Sequence, residues 1–263
     1  MARPKSDSFE QKRDAILTHA AACFAATSYP AASMNDIAAA SGTSKARLYH
    51  YYGSKEAILF DLLERYTQRL LALIGQVEAA AQRANLDDRA ALHALVRSFL
   101  AEYESSATRH VALLNDTKFL GEAQRSTIVN RQRDVVAAVT RFLCRAYPLR
   151  VTPANQTATA MMLFGMINWT FTWLRPGGKL SYAAFADEVI AMLEGGLGAA
   201  STSSARTGQQ TARPEPAILH PVPAILHPVP NILHPMPAAR RAPPTVRPEP
   251  VEGQVKTIRL VSK

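Results

Sequence analysis

Three observations predict an all-α fold for this sequence. Apolar residues recur three and four positions apart over long stretches, which places them on one face of a helix. No segment alternates apolar and polar residues in the way a half-buried strand does. The pattern breaks at Asn85-Leu86-Asp87, Tyr147-Pro148 and Arg175-Pro176-Gly177-Gly178, where turn formers interrupt helix. About nine helices are expected, and 263 residues provide ample core for one large domain or two smaller ones.

From Phe9 to Ala26 the residues Ile16, Ala20, Cys23 and Phe24 mark one helix face, and the chain then turns through Thr27-Ser28-Tyr29-Pro30. Ser33 is a good N-cap for a short helix from Met34 to Ala40, with Asp36 at its positive end. Gly42 can take the left-handed conformation that ends it. Ser44 starts the next helix, which stops at Gly53, and Ser54 caps a longer one over Lys55–Arg83. That helix carries Ile58, Leu62, Leu63, Tyr66, Leu70, Leu73, Ile74 and Val77 at helical spacing. Amphipathic helices follow over Asp88–Ser105, Arg109–Phe119, Gly121–Tyr147, Pro153–Leu174 and Tyr182–Leu197. Ile37, Ala38, Leu48 and Tyr52 are the expected core between the two short helices.

After Gly198 the composition changes. Ser201 to Gln210 is small and polar, and a seven-residue unit then repeats at Pro216–Val222, Pro223–Val229 and Pro230–Met236. Arg213-Pro-Glu-Pro recurs at Arg247. Prolines this dense remove amide donors and block helix, so an extended, disordered tail is expected. His220, His227 and His234 recur within it, but an extended tail gives metal ligands no converging geometry, and no metal or cofactor is expected. The net charge of +9 includes eight Lys/Arg and three Glu after Ala199, which leaves +4 for residues 1–198. The folded part is mildly basic, so the case for nucleic acid rests on a motif rather than on overall charge.

That motif lies between Ser33 and Glu56: two short helical patterns around Ser-Gly-Thr-Ser, the second combining basic, hydroxyl and aromatic side chains. A helix-turn-helix that lays its second helix in the DNA major groove has this form. Helix starts at Ser33, Ser44 and Ser54 offer free amides to phosphate. Lys45 and Arg47 sit where side chains reach phosphates or guanine edges, and Tyr49 and His50 offer donors and apolar contact further along. Lys55 stands near enough to reach a phosphate.

Residues Ile16 to Leu59 resemble the N-terminal domain of the TetR family of bacterial transcriptional repressors. The likeness is carried by Ser33, Ile37-Ala38, Gly42-Thr43-Ser44, Ala46, Leu48-Tyr49-His50-Tyr51-Tyr52 and Ser54-Lys55-Glu56. Departures are Thr43 where the family favours Val, Ala46 where Gly or Pro is common, Tyr52 where Phe is usual and Ser28 for a frequent Gly. The resemblance implies DNA contact by Ser33, Thr43, Ser44, Lys45, Arg47, Tyr49, His50 and Lys55. It also implies a division into a DNA-binding domain (9–56) and a ligand-binding and dimerisation domain (57–198), followed by the tail (199–263).

The second half resembles a TetR subgroup that controls fatty-acid, steroid or aromatic-acid catabolism and senses acyl-CoA thioesters. Gly165 to Ser181, the final helix ending at Gly195-Gly196-Leu197, and His110 to Leu120 carry that likeness. The resemblance makes Tyr103, Asn115, Phe119, Arg131, Met166 and Trp169 candidate ligand contacts. The helix around Met161–Trp173 points large apolar groups in nearly every direction, so it must be buried on more than one side. Pairing with the last helix (Phe185, Val189, Met192, Leu193) across a two-fold axis would bury both, giving a homodimer that meets a palindromic double-stranded operator.

Other classes fare worse. There is no Gly-rich phosphate loop, no nucleophile with an evident base and no metal motif, so an enzyme is not expected. Cys23 and Cys144 lie in apolar patterns without metal-ligand spacing and read as reduced core residues of a cytoplasmic protein. No signal peptide follows Met1, and the most apolar run, Ala158–Leu174, holds Thr159, Asn168, Thr170 and Thr172 and is shorter than a membrane span. The expected function is a ligand-responsive repressor. A DNA-bound architectural or interaction protein and a drug-sensing efflux-pump repressor are the competing readings.

Overall fold

Side-chain caps set the helix starts. Ser33, Ser44, Ser54, Asp87 and Ser181 each accept a hydrogen bond from the backbone amide three residues on. Each such cap is worth about 1 kcal/mol. The computed structural model describes residues 7–198. Its helices are α1 (Asp7–Thr27), α2 (Met34–Ala40), α3 (Lys45–Tyr51), α4 (Lys55–Arg83), α5 (Asp88–Ser105) and α6 (Ala107–Asp116). They continue as α7 (Glu122–Ala146), α8 (Gln156–Asn168), the single turn α9 (Thr170–Trp173) and α10 (Tyr182–Leu193). There is no strand among the described residues. The expected proline-rich tail, 199–263, lies outside them.

The 29 residues of α4 form the longest helix, about 44 Å at 1.5 Å per residue. Its N-terminal part packs on α1 and its remainder on α5, α6 and α7, while α10 lies on α5 and α8 on α7. One connected apolar core therefore runs from Ile16 and Ile37, through Leu62, Tyr66 and Leu95, to Val139, Leu163 and Ile190. Asn85, at φ 49°, ends α4: its amide bonds to the Gln82 carbonyl and the Leu86 amide to the Ala81 carbonyl. Asparagine tolerates this left-handed geometry because its short polar side chain bonds locally. Among the described residues no helix is long and apolar enough to cross a membrane.

Four expectations are corrected. The helix expected over Arg109–Phe119 starts at Ala107 and tightens into a 3-10 turn over Thr117–Phe119. The helix expected over Pro153–Leu174 starts at Gln156, because Asn155 Oδ1 accepts from the Thr152 amide and its Nδ2 donates to the Arg150 carbonyl, folding that segment into a turn. The same helix breaks at Trp169, where the Thr170 and Thr172 hydroxyls donate to the carbonyls of Ile167 and Trp169 and compete with the helical bonds. The last α-helix stops at Leu193 and loosens into a π turn over Glu194–Gly198. There the Glu194 carboxylate is held by Tyr147, His93 and Arg89. Cys23 and Cys144 are free but only half-buried, since each sits at the edge of its apolar stripe.

Asp116, at the C-terminal end of α6, is 6% exposed, and burial pushes its carboxyl up to about 6, with Lys118 opposing. A folded-state value above the unfolded one means the native chain holds more protons between about pH 4 and 6, so stability falls as pH rises through that window. Asp116→Asn is expected to stabilise the protein by about 1–2 kcal/mol at pH 7 and negligibly at pH 4, measured by urea denaturation.

Candidate nucleic-acid interface and effector cavity

Between α2 and α3 the chain reverses on Gly42, whose φ of 61° is left-handed. The Gly42 amide bonds to the Ala39 carbonyl and the Thr43 amide to the Ala38 carbonyl, closing the end of α2. This turn sets α3 across α2 with Ile37, Ala38, Leu48 and Tyr52 all buried between them, as expected. The opposite face of α3 is exposed: Lys45, Arg47, Tyr49 and His50, with Ser44 at its start and Thr43 half-buried beside it. Tyr49 leaves 47% of its surface in solvent, unusual for a large aromatic. Lys45 and Arg47 make no ion pair among the described residues, so their charges stay available.

A polar hub fixes α3 to its neighbours. The Tyr52 hydroxyl, at the C-cap of α3, donates to Asp61 Oδ2 on α4. Arg13 of α1 reaches the same oxygen at 2.7 Å, and Arg65 Nε donates to Asp61 Oδ1 at 2.9 Å. Arg65 also bridges Glu10 and Asp14 of α1, each at 2.9 Å. Burial alone would raise the Asp61 carboxyl, but the Tyr52 and Arg65 hydrogen bonds and the Arg13 charge outweigh it and lower it. Tyrosine where the family favours phenylalanine is thus used: its oxygen ties three helices together.

Two expected DNA contacts have other partners. The Lys55 Nζ donates to the carbonyls of Tyr29, Pro30 and Ala32 at 2.7, 3.2 and 2.6 Å and lies over the Tyr29 ring. These carbonyls belong to the turn after α1, where Ser28 sits at φ 75° and no helix continues to satisfy them. Without DNA, Lys55 clamps that turn. Ser33 closes a capping box with Asp36, so its hydroxyl both accepts from the Asp36 amide and donates to the carboxylate.

Comparison with known proteins agrees with this geometry. The family described as "Bacterial regulatory proteins, tetR family" matches residues 16–62, and "Tetracyclin repressor-like, C-terminal domain" matches residues 85–197. The crystal structure of a TetR-family transcriptional regulator from Bordetella parapertussis 12822 is 36% identical, covering 72% of this chain and 98% of that one, with a TM-score of 0.65. The chain belongs to the TetR family of transcriptional regulators. AibR in complex with isovaleryl coenzyme A and operator DNA is 25% identical, covering 69% of this chain and 97% of that one, with a TM-score of 0.61. The HTH-type transcriptional repressor KstR2 of Rhodococcus jostii (strain RHA1) is 24% identical over 190 residues, 71% of this chain and 91% of that protein.

In this TetR-family chain two cavities flank the middle of α4. One is a polar cleft of about 330 Å³ among α1, α4, α5 and α6, lined by Asp14, Arg65, Arg69, Glu102 and Arg109. Carboxylates already occupy Arg65 and Arg69, while Arg109 bonds to the Thr18 hydroxyl. The other is an apolar pocket of about 40 Å³ lined by Thr67, Leu70, Tyr103, His110, Leu113, Phe164 and Asn168 among others. Of the six expected ligand contacts, only Tyr103 lines it, with its hydroxyl donating to Asn168 Oδ1 at 3.1 Å. Arg131 instead pairs with Glu64 at 2.8 Å and also bonds to the Glu64 carbonyl. Phe119 stacks on Tyr29 beside the DNA-binding half. Asn115 is exposed, and Met166 and Trp169 are half-buried away from the cavity. Sequence reasoning missed His110 and Asn168. The available signal was a histidine three residues before Leu113 on an otherwise apolar face.

The two classes of basic residue separate by experiment. Arg47→Ala is expected to leave the melting temperature unchanged while weakening operator binding and reducing its salt slope by about one. Lys55→Met is expected to cost about 1–3 kcal/mol of stability by stranding three carbonyls, read from urea denaturation.

Proposed function

We propose that the protein is a homodimeric, ligand-responsive repressor that binds a palindromic operator through α3 and is released by an acyl-CoA thioester. The observation that carries the DNA reading is the exposed, unpaired Lys45–Arg47–Tyr49–His50 face on a helix locked to α1 and α4. Residues 9–56 serve as the DNA-binding unit and 57–198 as the sensing and dimerising one. The dimer reading rests on large apolar side chains left in solvent along the last helices: Met162 is 61%, Trp173 49% and Met192 65% exposed. A second copy related by a two-fold axis would cover them and set two α3 helices about 34–36 Å apart, or a multiple of that.

The apolar pocket supports a wedge mechanism. At about 40 Å³ it holds only a few water-sized groups. An effector must therefore push the helices around it apart. Thr67 and Leu70 of α4 line the pocket, and Asp61 stands six residues before Thr67 on the same rod, about 9 Å along the helix. Displacing the middle of α4 shifts the hub that holds Tyr52, and with it the spacing of the paired α3 helices. A coupling of about 1–3 kcal/mol suffices for a several-fold to hundredfold loss of affinity.

The acyl-CoA class draws support from the isovaleryl coenzyme A held by AibR. One observation favours a second reading, a neutral drug-like effector: no Lys or Arg lines the apolar pocket among the described residues. Fluorescence anisotropy with fragments of neighbouring DNA tests both. The purified dimer is expected to bind an inverted repeat and to release it on addition of isovaleryl coenzyme A. Failure to bind any such repeat refutes the regulator reading, and release only by neutral, CoA-free compounds selects the second.

A further inference from the structure

Among the described residues, one ring nitrogen in the wall of the apolar pocket is buried without an aligned hydrogen bond. His110 is 2% exposed, and its Nε2 has no hydrogen-bond partner among the described residues. The other ring nitrogen is engaged: Nδ1 lies 3.2 Å from the Tyr66 hydroxyl, and the ring stacks on Tyr103 at 3.8 Å between centroids. We propose that His110 is the polar anchor of this pocket, its Nε2–H donating to the carbonyl oxygen of an uncharged acyl group seated between α4 and α8. The proposal rests on reading the pocket as the effector site, and adds which atom selects the ligand and what chemistry it selects.

Satisfying each buried donor settles the tautomer. Tyr66 is 2% exposed and among the described residues its hydroxyl has no partner but His110. If Nδ1 carried the proton and donated to Tyr66, the phenolic hydrogen would be left buried and unpaired. Tyr66 therefore donates to Nδ1, and the ring proton sits on Nε2. Burial pushes the imidazole down to about 3, only partly offset by the nearby Asn168 carbonyl, to which Nε2 makes no aligned hydrogen bond. The ring is thus a neutral donor at physiological pH. Stranding such a donor is costly, and a ligand oxygen removes the penalty.

The surroundings specify the ligand. Asn168, which also lines the pocket, has its Oδ1 occupied by Tyr103. Thr67, Leu70, Leu113, Val135, Phe164 and the neutral amide of Gln132 belong to a lining without an ionised side chain. A carboxylate or ammonium would lose its hydration there and gain no counter-charge. An ester, thioester, amide or ketone carbonyl loses far less and meets a buried, unpaired donor in His110 Nε2. A methylene at the same point fits the volume and leaves Nε2 unpaired.

The test compares thioesters with thioethers that lack only the carbonyl oxygen. Calorimetry on the full-length protein uses S-isovaleryl-N-acetylcysteamine against S-isopentyl-N-acetylcysteamine, and the same pair carried on coenzyme A. Wild type is expected to prefer the thioester by about ten- to hundredfold. His110→Phe keeps the stack on Tyr103 without ring nitrogens and is expected to lose that preference, whereas His110→Gln, whose amide nitrogen lies near the place of Nε2, restores part of it. Preference with either pair supports the anchor, and preference confined to the coenzyme A pair identifies a nucleotide-bearing source. Should His110→Phe not fold, the carbonyl stretch of the 13C-labelled thioester bound to wild type gives the answer, since a donated hydrogen bond lowers it and an apolar site does not. Equal affinity for thioester and thioether, an unshifted stretch, or no binding of any thioester overturns the anchor. Operator binding measured on the same samples stands or fails separately.

Discussion

The structure depends on one buried-edge carboxylate, Asp61. It receives Tyr52 from α3, Arg13 from α1 and Arg65 from its own helix, so three elements are fixed at one point. The hydrophobic contacts of Leu48 and Ile37 set how far α3 stands from α2, but apolar packing is non-directional and tolerates sliding. Hydrogen bonds to a charged acceptor are directional and roughly twice as strong as neutral ones. The hub therefore determines the direction in which the exposed face of α3 points.

That constraint gives α4 its double role. Its first turns hold the hub and the Lys55 clamp on the turn after α1, while its middle forms one wall of the apolar pocket. Leu70 and Asp61 stand on the same continuous helix, which is the route along which the proposed coupling runs. The pocket contributes the complementary property. It is small, and its wall holds the stacked His110 and Tyr103 rings, with His110 Nε2 unpaired among the described residues.

Much of this was legible in the sequence, and the limits have physical causes. Periodicity located the long helices, and Ser33, Ser44 and Ser54 marked three helix starts because a cap is a local interaction. The conformation of Gly42 followed for the same reason. The break at Trp169 was missed because it arises from threonine hydroxyls competing for carbonyls inside an apolar run, which periodicity cannot register. The partners Lys55 takes without DNA were missed because they are carbonyls of the turn after α1, 23 to 26 residues earlier and invisible to side-chain patterning. The pocket was the least legible part. Its lining comes from five helices, and the resemblance that made Arg131 and Phe119 candidates carries no sign of the ion pair with Glu64 or the stack on Tyr29 that decide where they sit.

The most direct test of the hub is operator affinity in Tyr52→Phe, which removes a single oxygen and keeps the buried ring. If that oxygen orients α3, the dissociation constant rises about five- to thirtyfold, the equivalent of about 1–2 kcal/mol, while far-ultraviolet circular dichroism stays unchanged. An affinity equal to that of wild type would contradict the account, because α3 would then be oriented by apolar packing alone.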